Sequence, residues 1–441
     1  MRIEIKDKEN FIKMFNNLFK ENKITDINGI TIDSRKVESN DLFIPIKGKN
    51  YDGHNYISSA LNSGAQLSFS QMNKKKNNII NINCSKELIH QLAKTWHDKS
   101  QSKVIGITGS NGKTTTKELL FSILSKQYKC SKSEGNFNSS IGLPLTFLSS
   151  KLNDDFCILE YGASRPNEIK KLCKTIKPAY SLITNISEAH IENFSSLNEI
   201  IDTKSAIYKN LKCNDTAFVN NDIEELLNIK TKGKKITFGF KNKSKFNGKI
   251  ILDDQSYLKV NNEIFPVPYS LVHLKNSLLS TISISLFLNI TKNNIVKALN
   301  TFILPIGRGE RFIKNNLEII DDSYNANPES VKLAIERFNS INTKGKKIFV
   351  FGDMLELGEK TIISHQNISS LLNKSKINVL LTYGNFSKLT YNGINNNAIR
   401  IKHFTDIEKL KIFIHKISKK GDLIYLKGSR SMELERLYKG S

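Results

Sequence analysis

Along much of the chain, short apolar runs alternate with stretches whose apolar positions recur every three to four residues. The first pattern reads as buried strand and the second as amphipathic helix. Val104-Ile105-Gly106-Ile107 is the first strong strand, followed by Phe156-Cys157-Ile158-Leu159 and Ser181-Leu182-Ile183-Thr184-Asn185. From residue 305 the alternation is cleanest. It predicts strands at 317–321, 348–351, 379–383 and 423–426, and a helix at 328–338 with Asn327 as N-cap and Pro328 in its first turn. Strands alternating with helices predict parallel sheets covered on both faces, with ligands at the carboxyl ends of the strands. The first hundred residues differ in texture, mixing short strands and helices around 30–35 and 41–46. An α/β chain of three domains follows, divided at 1–100, 101–304 and 305–441.

Composition fits that division. The 441 residues suit several domains, and 39% hydrophobic with 24% charged residues excludes wholesale disorder. The longest apolar run, 278–290, contains three serines and a threonine and is shorter than the ~20 residues of a membrane span. It predicts a buried helix. The net charge of +24 raises the question of a polyanionic partner. Its excess is mostly Lys spread along the chain, with no Arg-rich arm, so most of it reads as solvated surface and no nucleic-acid partner is expected. Five cysteines without C-x-x-C spacing argue against a zinc site and for a reducing compartment. The N-terminus lacks an apolar leader, which adds to the expectation of a cytoplasmic protein.

The strongest local signal is Gly106-Ile107-Thr108-Gly109-Ser110-Asn111-Gly112-Lys113-Thr114, between a strand and a helix with Leu119, Leu120, Ile123 and Leu124 at helical spacing. Glycines let backbone N–H groups converge on phosphate oxygens, and the helix N-terminus adds partial positive charge. Lys113 would reach the outer phosphates and the Thr114 hydroxyl would ligate Mg²⁺. The spacing departs from strict G-x-x-x-x-G-K-[ST], because Ile107 stands five residues before Gly112.

That loop, extended by Thr115-Thr116, resembles the ATP loop of the Mur ligases and folylpolyglutamate synthases. Further segments resemble the Mur ligases, and within that family the members that join D-alanyl-D-alanine to a UDP-linked muramoyl tripeptide. They are Asp33-Ser34-Arg35, Lys47-Gly48 with Asp52-Gly53-His54, Gly135-Asn136-Phe137-Asn138 with Ile141-Gly142-Leu143-Pro144, Asp322-Ser323-Tyr324-Asn325-Ala326-Asn327-Pro328, Gly352-Asp353-Met354-Leu355-Glu356-Leu357-Gly358 with His365, and Lys427-Gly428-Ser429-Arg430. They run in order from about residue 30 to 433. The resemblance implies a small uridine-binding domain, a central P-loop ATPase-like domain and a Rossmann-like third domain. It implies an amide ligase using ATP, two Mg²⁺ ions, the UDP-linked tripeptide and the dipeptide, acting as a monomer. The sister ligase that adds the third amino acid is the nearest alternative, but the chain lacks the D-N-P-R-type segment expected of it. Folylpolyglutamate synthases would lack the N-terminal uridine-binding block. A basic P-loop NTPase acting on nucleic acid is the alternative from another class.

Residue roles follow from the same resemblance, each beside a plainer reading. Gly109, Ser110, Asn111, Gly112, Lys113, Thr114 and Thr115 would cradle ATP. Glu160, ending its strand, and His190 would hold Mg²⁺; alone, Glu160 reads as a solvated strand-end carboxylate. Lys204 shares a helix face with Ile200, Ile207 and Leu211, opened by a capping box at Ser196 and Glu199. An inward lysine is costly, and by pattern alone a snorkelling ammonium fits as well. The family's lysine here carries a CO₂-derived carbamate, a carboxylate-like metal ligand. Asn276 matches an adenine contact, although the expected His position holds Val272 and His273 lies one residue on; a helix-start asparagine is the alternative. Arg308, Asp322, Tyr324 and Asn325 would hold nucleotide from the third domain, with a turn or cap as the alternative for Asp322. Ser34, Arg35 and Lys47 would face the uridine diphosphate, and Asn138 and Ser139 the muramoyl part. Asp353, Glu356, Ser429 and Arg430 would hold the dipeptide, or else cap helices and pair on the surface.

Overall fold

The protein is described from a computed structural model covering residues 1–48, 50–73, 76–135, 137–188, 191–314 and 316–438. Three sheets follow one another along the chain. The first has five short strands in sequence order: Arg2–Glu4, Gly29–Thr31, Asp41–Phe43, Ala65–Ser70 and Ile79–Asn81. Arg2–Glu4 is antiparallel to its neighbour and the remaining pairs are parallel.

The second sheet has nine strands. Its core is the phosphate-loop strand Lys103–Thr108, flanked by Tyr180–Ile183 and Phe156–Glu160, with Cys130–Lys132 beyond the latter. Outward from Tyr180–Ile183 the order is Thr216–Asn220, Lys234–Gly239, Phe246–Leu252, Ser256–Val260 and Glu263–Pro266. The last two pairings are antiparallel, so a meander extends an otherwise parallel sheet. Alternate residues of the central strands enter different cores. Val104, Cys157 and Leu159 pack with the helices Glu168–Thr175 and Leu197–Lys209. Ile105, Ile107 and Ile158 pack with Lys113–Leu124 and Lys275–Phe287. This period of two is what a sheet covered on both faces requires. The apolar run expected as a buried helix is Lys275–Phe287, starting and ending three residues earlier than read from the sequence.

The third sheet orders Glu310–Lys314, Leu317–Asp322, Leu423–Lys427, Lys347–Gly352, Val379–Tyr383 and Arg400–Phe404. All pairs are parallel except the first. Phe349 and Phe351 face the core under Pro328–Ser340 and Thr361–Asn373, whereas Ile348 and Val350 face Ile407–Ile417. Asn327 caps Pro328–Ser340 by accepting from the Ser330 amide at 2.9 Å, and Ser330 Oγ accepts from the Asn327 amide at 3.0 Å.

The contacts between domains are of two kinds. The first and second domains share one apolar core, running from Phe11, Phe15 and Trp96 to Leu143, Phe147 and Leu172. Third-domain contacts with the second domain include several polar ones. Asn327 Nδ2 donates to Asn111 Oδ1 at 2.7 Å, Arg308 Nη2 to Thr114 Oγ1 at 3.1 Å, and Lys360 pairs with Glu188 at 2.6 Å. Between these domains run residues 302–309, where Ile303 and Ile306 are exposed and Gly307 and Gly309 have positive φ.

Candidate active site

The phosphate loop turns at two glycines with positive φ, Gly109 at +145° and Gly112 at +78°. A Cβ on Gly109 would stand 2.0 Å from Thr184 Oγ1, so the position has neither the conformation nor the space for another residue. Gly112 caps the helix Lys113–Leu124. The loop is braced from the next strand end. Asn185 accepts from the amides of Ser110 (3.1 Å, through its carbonyl) and Asn111 (2.8 Å, through Oδ1), and Thr184 Oγ1 donates to Asn111 O at 2.6 Å. Sequence reasoning missed Thr184 and Asn185 as site residues. Their signal was position: they follow a strand adjacent to the phosphate-loop strand, at its carboxyl end.

Glu160 is buried, paired across the sheet with Ile107. Its Oε2 accepts from the Thr114 hydroxyl at 2.7 Å, and its Oε1 from Asn138 Nδ2 at 2.8 Å. Thr114 also receives the Arg308 guanidinium, which stacks 3.6 Å from the centroid of the Tyr324 ring. The structure therefore gathers Thr114, Glu160, Asn138, Arg308 and Tyr324 into one crevice. The Lys113 ammonium folds back on the loop, donating to Gly109 O at 2.8 Å and Ser110 O at 3.2 Å. Burial, with help from Arg308, lowers its pKa, while Glu160 opposes the shift. An oxygen pair of one hydroxyl and one carboxylate beside a phosphate loop suits Mg²⁺, which takes one or two carboxylates and completes its shell with phosphate oxygens and water.

Lys204 is 4% exposed, and its ammonium donates to Gly109 O at 3.2 Å. Burial, and secondly the nearby Lys113, lower its pKa to about 7. The inward lysine of the pattern is thus truly inward, and the snorkelling alternative does not apply. Its helix is capped by Ser196, which accepts from the Glu199 amide at 3.3 Å, while Glu199 reaches back to the Ser195 amide at 2.7 Å, one residue earlier than a capping box specifies. His190, expected in the same region, lies outside the described residues. Among the described residues no cluster of three or more His, Cys, Asp and Glu could hold a metal.

On the third domain, Asp322 sits opposite Lys427 in the parallel register, and the two side chains pair at 3.0 Å. Lys427 is buried and also donates to Asn325 O at 2.8 Å; Tyr425 OH donates to Asp322 Oδ2 at 3.2 Å. Lys427 and Tyr425 thus fix the Asp322–Asn325 turn, a task not read from the sequence. Asn276 is exposed in the first turn of Lys275–Phe287, beside Ser277, whose hydroxyl accepts from Thr116 in the phosphate-loop helix at 2.9 Å. His273 is pressed beneath Gly309 and Arg337; its Nε2 is buried without a partner, and burial lowers its pKa to about 3.

The residues expected around the dipeptide are engaged within the protein. Asp353 accepts from the amides of Asn385, Phe386 and Ser387 at 2.9, 3.1 and 2.7 Å, capping the helix Ser387–Asn392. Ser429 Oγ accepts from the Leu355 amide at 2.9 Å, Arg430 pairs with Glu435, and the Glu356 carbonyl accepts from the Glu192 amide at 3.4 Å across the domain boundary. His365 is buried, with Nε2 accepting from the Met354 amide at 3.1 Å and Nδ1 bonded to Thr361 O at 2.8 Å; burial lowers its pKa. In the first domain, Arg35 reaches back to Asp33 with two bonds of 2.9 Å and holds that carboxyl at about 2. Ser34 opens the short helix Ser34–Lys36, and the backbones of Lys47 and Asp52 pair in an isolated antiparallel β-bridge. Ser139 Oγ accepts from the Gly142 amide at 3.1 Å.

A phosphate loop, a carboxylate at the next strand end and a guanidinium arriving from a separate Rossmann-like domain define a class of protein, and the comparisons agree. Family models described as Mur ligase family, catalytic domain, as Mur ligase middle domain and as Mur ligase, glutamate ligase domain match residues 26–100, 107–297 and 307–430. The chain belongs to the Mur ligase family. It is 33% identical to the UDP-N-acetylmuramoyl-tripeptide–D-alanyl-D-alanine ligase of Bacillus subtilis over 94% of this chain and 93% of that one. It is also 33% identical to the ligase of the same name from Rickettsia prowazekii, over 93% and 94%. Among solved structures it is similar to MurF from Acinetobacter baumannii (TM-score 0.86, 25% identity, 97% of both chains). It is also similar to MurF ligase from Thermotoga maritima in complex with ADP (TM-score 0.82, 28% identity, 92% and 95%).

Proposed function

We propose that this chain is the ATP-dependent ligase that joins D-alanyl-D-alanine to UDP-N-acetylmuramoyl-tripeptide, yielding the pentapeptide precursor of peptidoglycan, ADP and phosphate. The observation that carries this reading is the third-domain guanidinium of Arg308 on the Thr114 hydroxyl, beside Glu160, in a chain similar over nearly its whole length to ligases of that name. We place the uridine-binding, ATP-binding and dipeptide-binding parts at 1–100, 101–304 and 305–441, in a monomeric cytoplasmic enzyme. Among the described residues no helix is long and apolar enough to cross a membrane.

A carboxylate is a poor electrophile until phosphorylated, and moving a γ-phosphoryl group onto it gathers negative charge that must be neutralised. Loop amides of residues 109–115 hold the phosphates, Lys113 swings from its carbonyls to the outer phosphates, and Arg308 meets them from the other side. Thr114 and Glu160 would hold Mg²⁺, with His190 at a second ion; the metal supplies charge neutralisation and alignment of the phosphates. Asn276, Tyr324, Asn325 and Asp322 serve the base and ribose. Asn138 and Ser139 serve the muramoyl part, and Ser34, Arg35 and Lys47 the uridine diphosphate. Glu356, Ser429 and Arg430 receive the dipeptide, whose ammonium wants a carboxylate and whose carboxylate wants a guanidinium. Asp353 serves them from beneath, by shaping the turn.

Lys204 supports a carbamate. With its pKa lowered to about 7, a large fraction is neutral amine at neutral pH. The amine lone pair attacks CO₂, an N–C bond forms, one proton leaves, and an anion replaces a buried cation beside Lys113.

The test is phosphate release with ATP, Mg²⁺ and UDP-linked tripeptide, with and without D-alanyl-D-alanine. Release requiring both peptide substrates is expected. Release independent of the dipeptide, supported by a free amino acid in its place, or dependent on DNA or RNA would refute the assignment.

A further inference from the structure

The phosphate-loop helix carries a second lysine, Lys117, whose side chain is fully buried. No step described above uses it. A buried ammonium is costly unless its hydrogens are taken up. Here Lys117 donates to the main-chain oxygens of Ser133 and, at 3.2 Å, Gly135, and pairs with Glu118 at 3.0 Å. Glu118 also pairs with Lys132 at the end of the strand Cys130–Lys132. Two lysines and a carboxylate therefore brace the helix against the segment 132–135. Gly135 takes a left-handed φ of +50° there.

The bracing continues into the site. Ser133 Oγ accepts from the Glu160 amide at 3.2 Å, and the Ser133 amide donates to Ile158 O at 3.0 Å. Beyond Gly135, Asn138 donates to Glu160 Oε1 at 2.8 Å, and its carbonyl accepts from the Gly162 amide at 2.9 Å. The other oxygen of Glu160 takes the Thr114 hydroxyl, three residues before Lys117 on the same helix. Lys117, Ser133, Glu160 and Thr114 close a ring in which Glu160 is held by its amide on Ser133 and by its two carboxylate oxygens under Thr114 and Asn138. A leucine at 117 would fill the space but would leave the two carbonyls unpaired and the segment unanchored.

We infer that Lys117 is a positioning residue: its ammonium sets Ser133 and Gly135, and with Ser133 and Asn138 on either side it fixes Glu160 for its metal. The inference rests on the roles proposed above for Glu160 and Asn138.

The experiment compares the full-length protein with Lys117→Met, which keeps the length of the side chain and removes its donors. Binding of a fluorescent ATP analogue is titrated with and without Mg²⁺, without any peptide substrate. Removing an outer partner of a metal ligand costs about 10–100-fold in metal affinity. The half-saturating Mg²⁺ concentration is therefore expected to rise at least about tenfold, with metal-free nucleotide affinity within about threefold of wild type. In turnover, kcat should fall while the KM for dipeptide stays within about twofold, because the third domain is not touched. Equal losses of metal-free and metal-bound affinity, or an unchanged Mg²⁺ requirement, would overturn the inference. If Lys117→Met does not fold, Lys117→Gln, which retains one donor group, is titrated in its place against the same outcomes. Failure of the ligase reading shows separately, as a wild-type protein that binds nucleotide without dipeptide-dependent turnover.

Discussion

At the scale of single residues, Lys204 shows how burial prepares chemistry. An ordinary lysine is almost wholly protonated at neutral pH, and a cation does not attack CO₂. Burial disfavours the ammonium and Lys113 adds like-charge repulsion, so both causes lower the pKa, to about 7. The sign follows: protonation returns as pH falls through 7, and the proposed carbamate, with the activity that depends on it, is expected to be lost. Activity in CO₂-depleted buffer should drop below about pH 7 and recover on adding bicarbonate. Lys204→Ala should cost about 100-fold or more in kcat, the scale of losing one preorganised charge in an active site, with partial rescue by acetate or formate. A flat bicarbonate response would remove the carbamate from the mechanism. The inward orientation of Lys204 was legible from its helical spacing. That the ammonium would meet Gly109 O was not, since that depends on a loop ninety-five residues away.

At the scale of elements, the third sheet was the most readable part, because short continuous apolar runs and the Asn-Pro helix start are local signals. Predicted strands at 317–321, 348–351, 379–383 and 423–426 appear as Leu317–Asp322, Lys347–Gly352, Val379–Tyr383 and Leu423–Lys427. The edge strands Glu310–Lys314 and Arg400–Phe404 were missed. Both are polar on alternate or most positions and owe their pairing to the neighbouring strand. Side-chain commitments at element ends were the least readable. From sequence Asp353 reads as a ligand for an amine or as a helix cap, and in the folded chain it accepts three amides at the start of Ser387–Asn392. Removing such a cap costs about 1 kcal/mol. Asp353→Ala is therefore expected to speed amide exchange across 385–392 by roughly fivefold in hydrogen-exchange mass spectrometry. Unchanged exchange there would return Asp353 to the list of direct dipeptide ligands.

At the scale of the whole molecule, the +24 charge reads as a Lys-rich surface, with only a few cations proposed for the site, among them Lys113, Arg308, Arg35 and Arg430. The division into three sheets was visible as changes of texture. The asymmetry between the two domain boundaries was not, because sequence patterns do not say which apolar residues of different domains share a core. Polar contacts at the second boundary are screened by salt and individually weak. Limited proteolysis should cut within 302–309, and raising salt from about 50 to 500 mM should speed the cut. ATP with UDP-linked tripeptide should slow it, because in the proposed site bound nucleotide would engage Arg308 and the phosphate loop together. Equal cutting under all three conditions would show that the linker does not move.

The shared core of the first and second domains has a further consequence. If the uridine end of the substrate is held on one side of that core and its carboxylate is phosphorylated on the other, the two points are a fixed distance apart. The protein then works as a ruler. UDP-linked dipeptides and tetrapeptides would present their carboxylates short of, or past, the γ-phosphate held by Lys113. Length would be judged across the core that the first two domains share, before the third domain brings the amine.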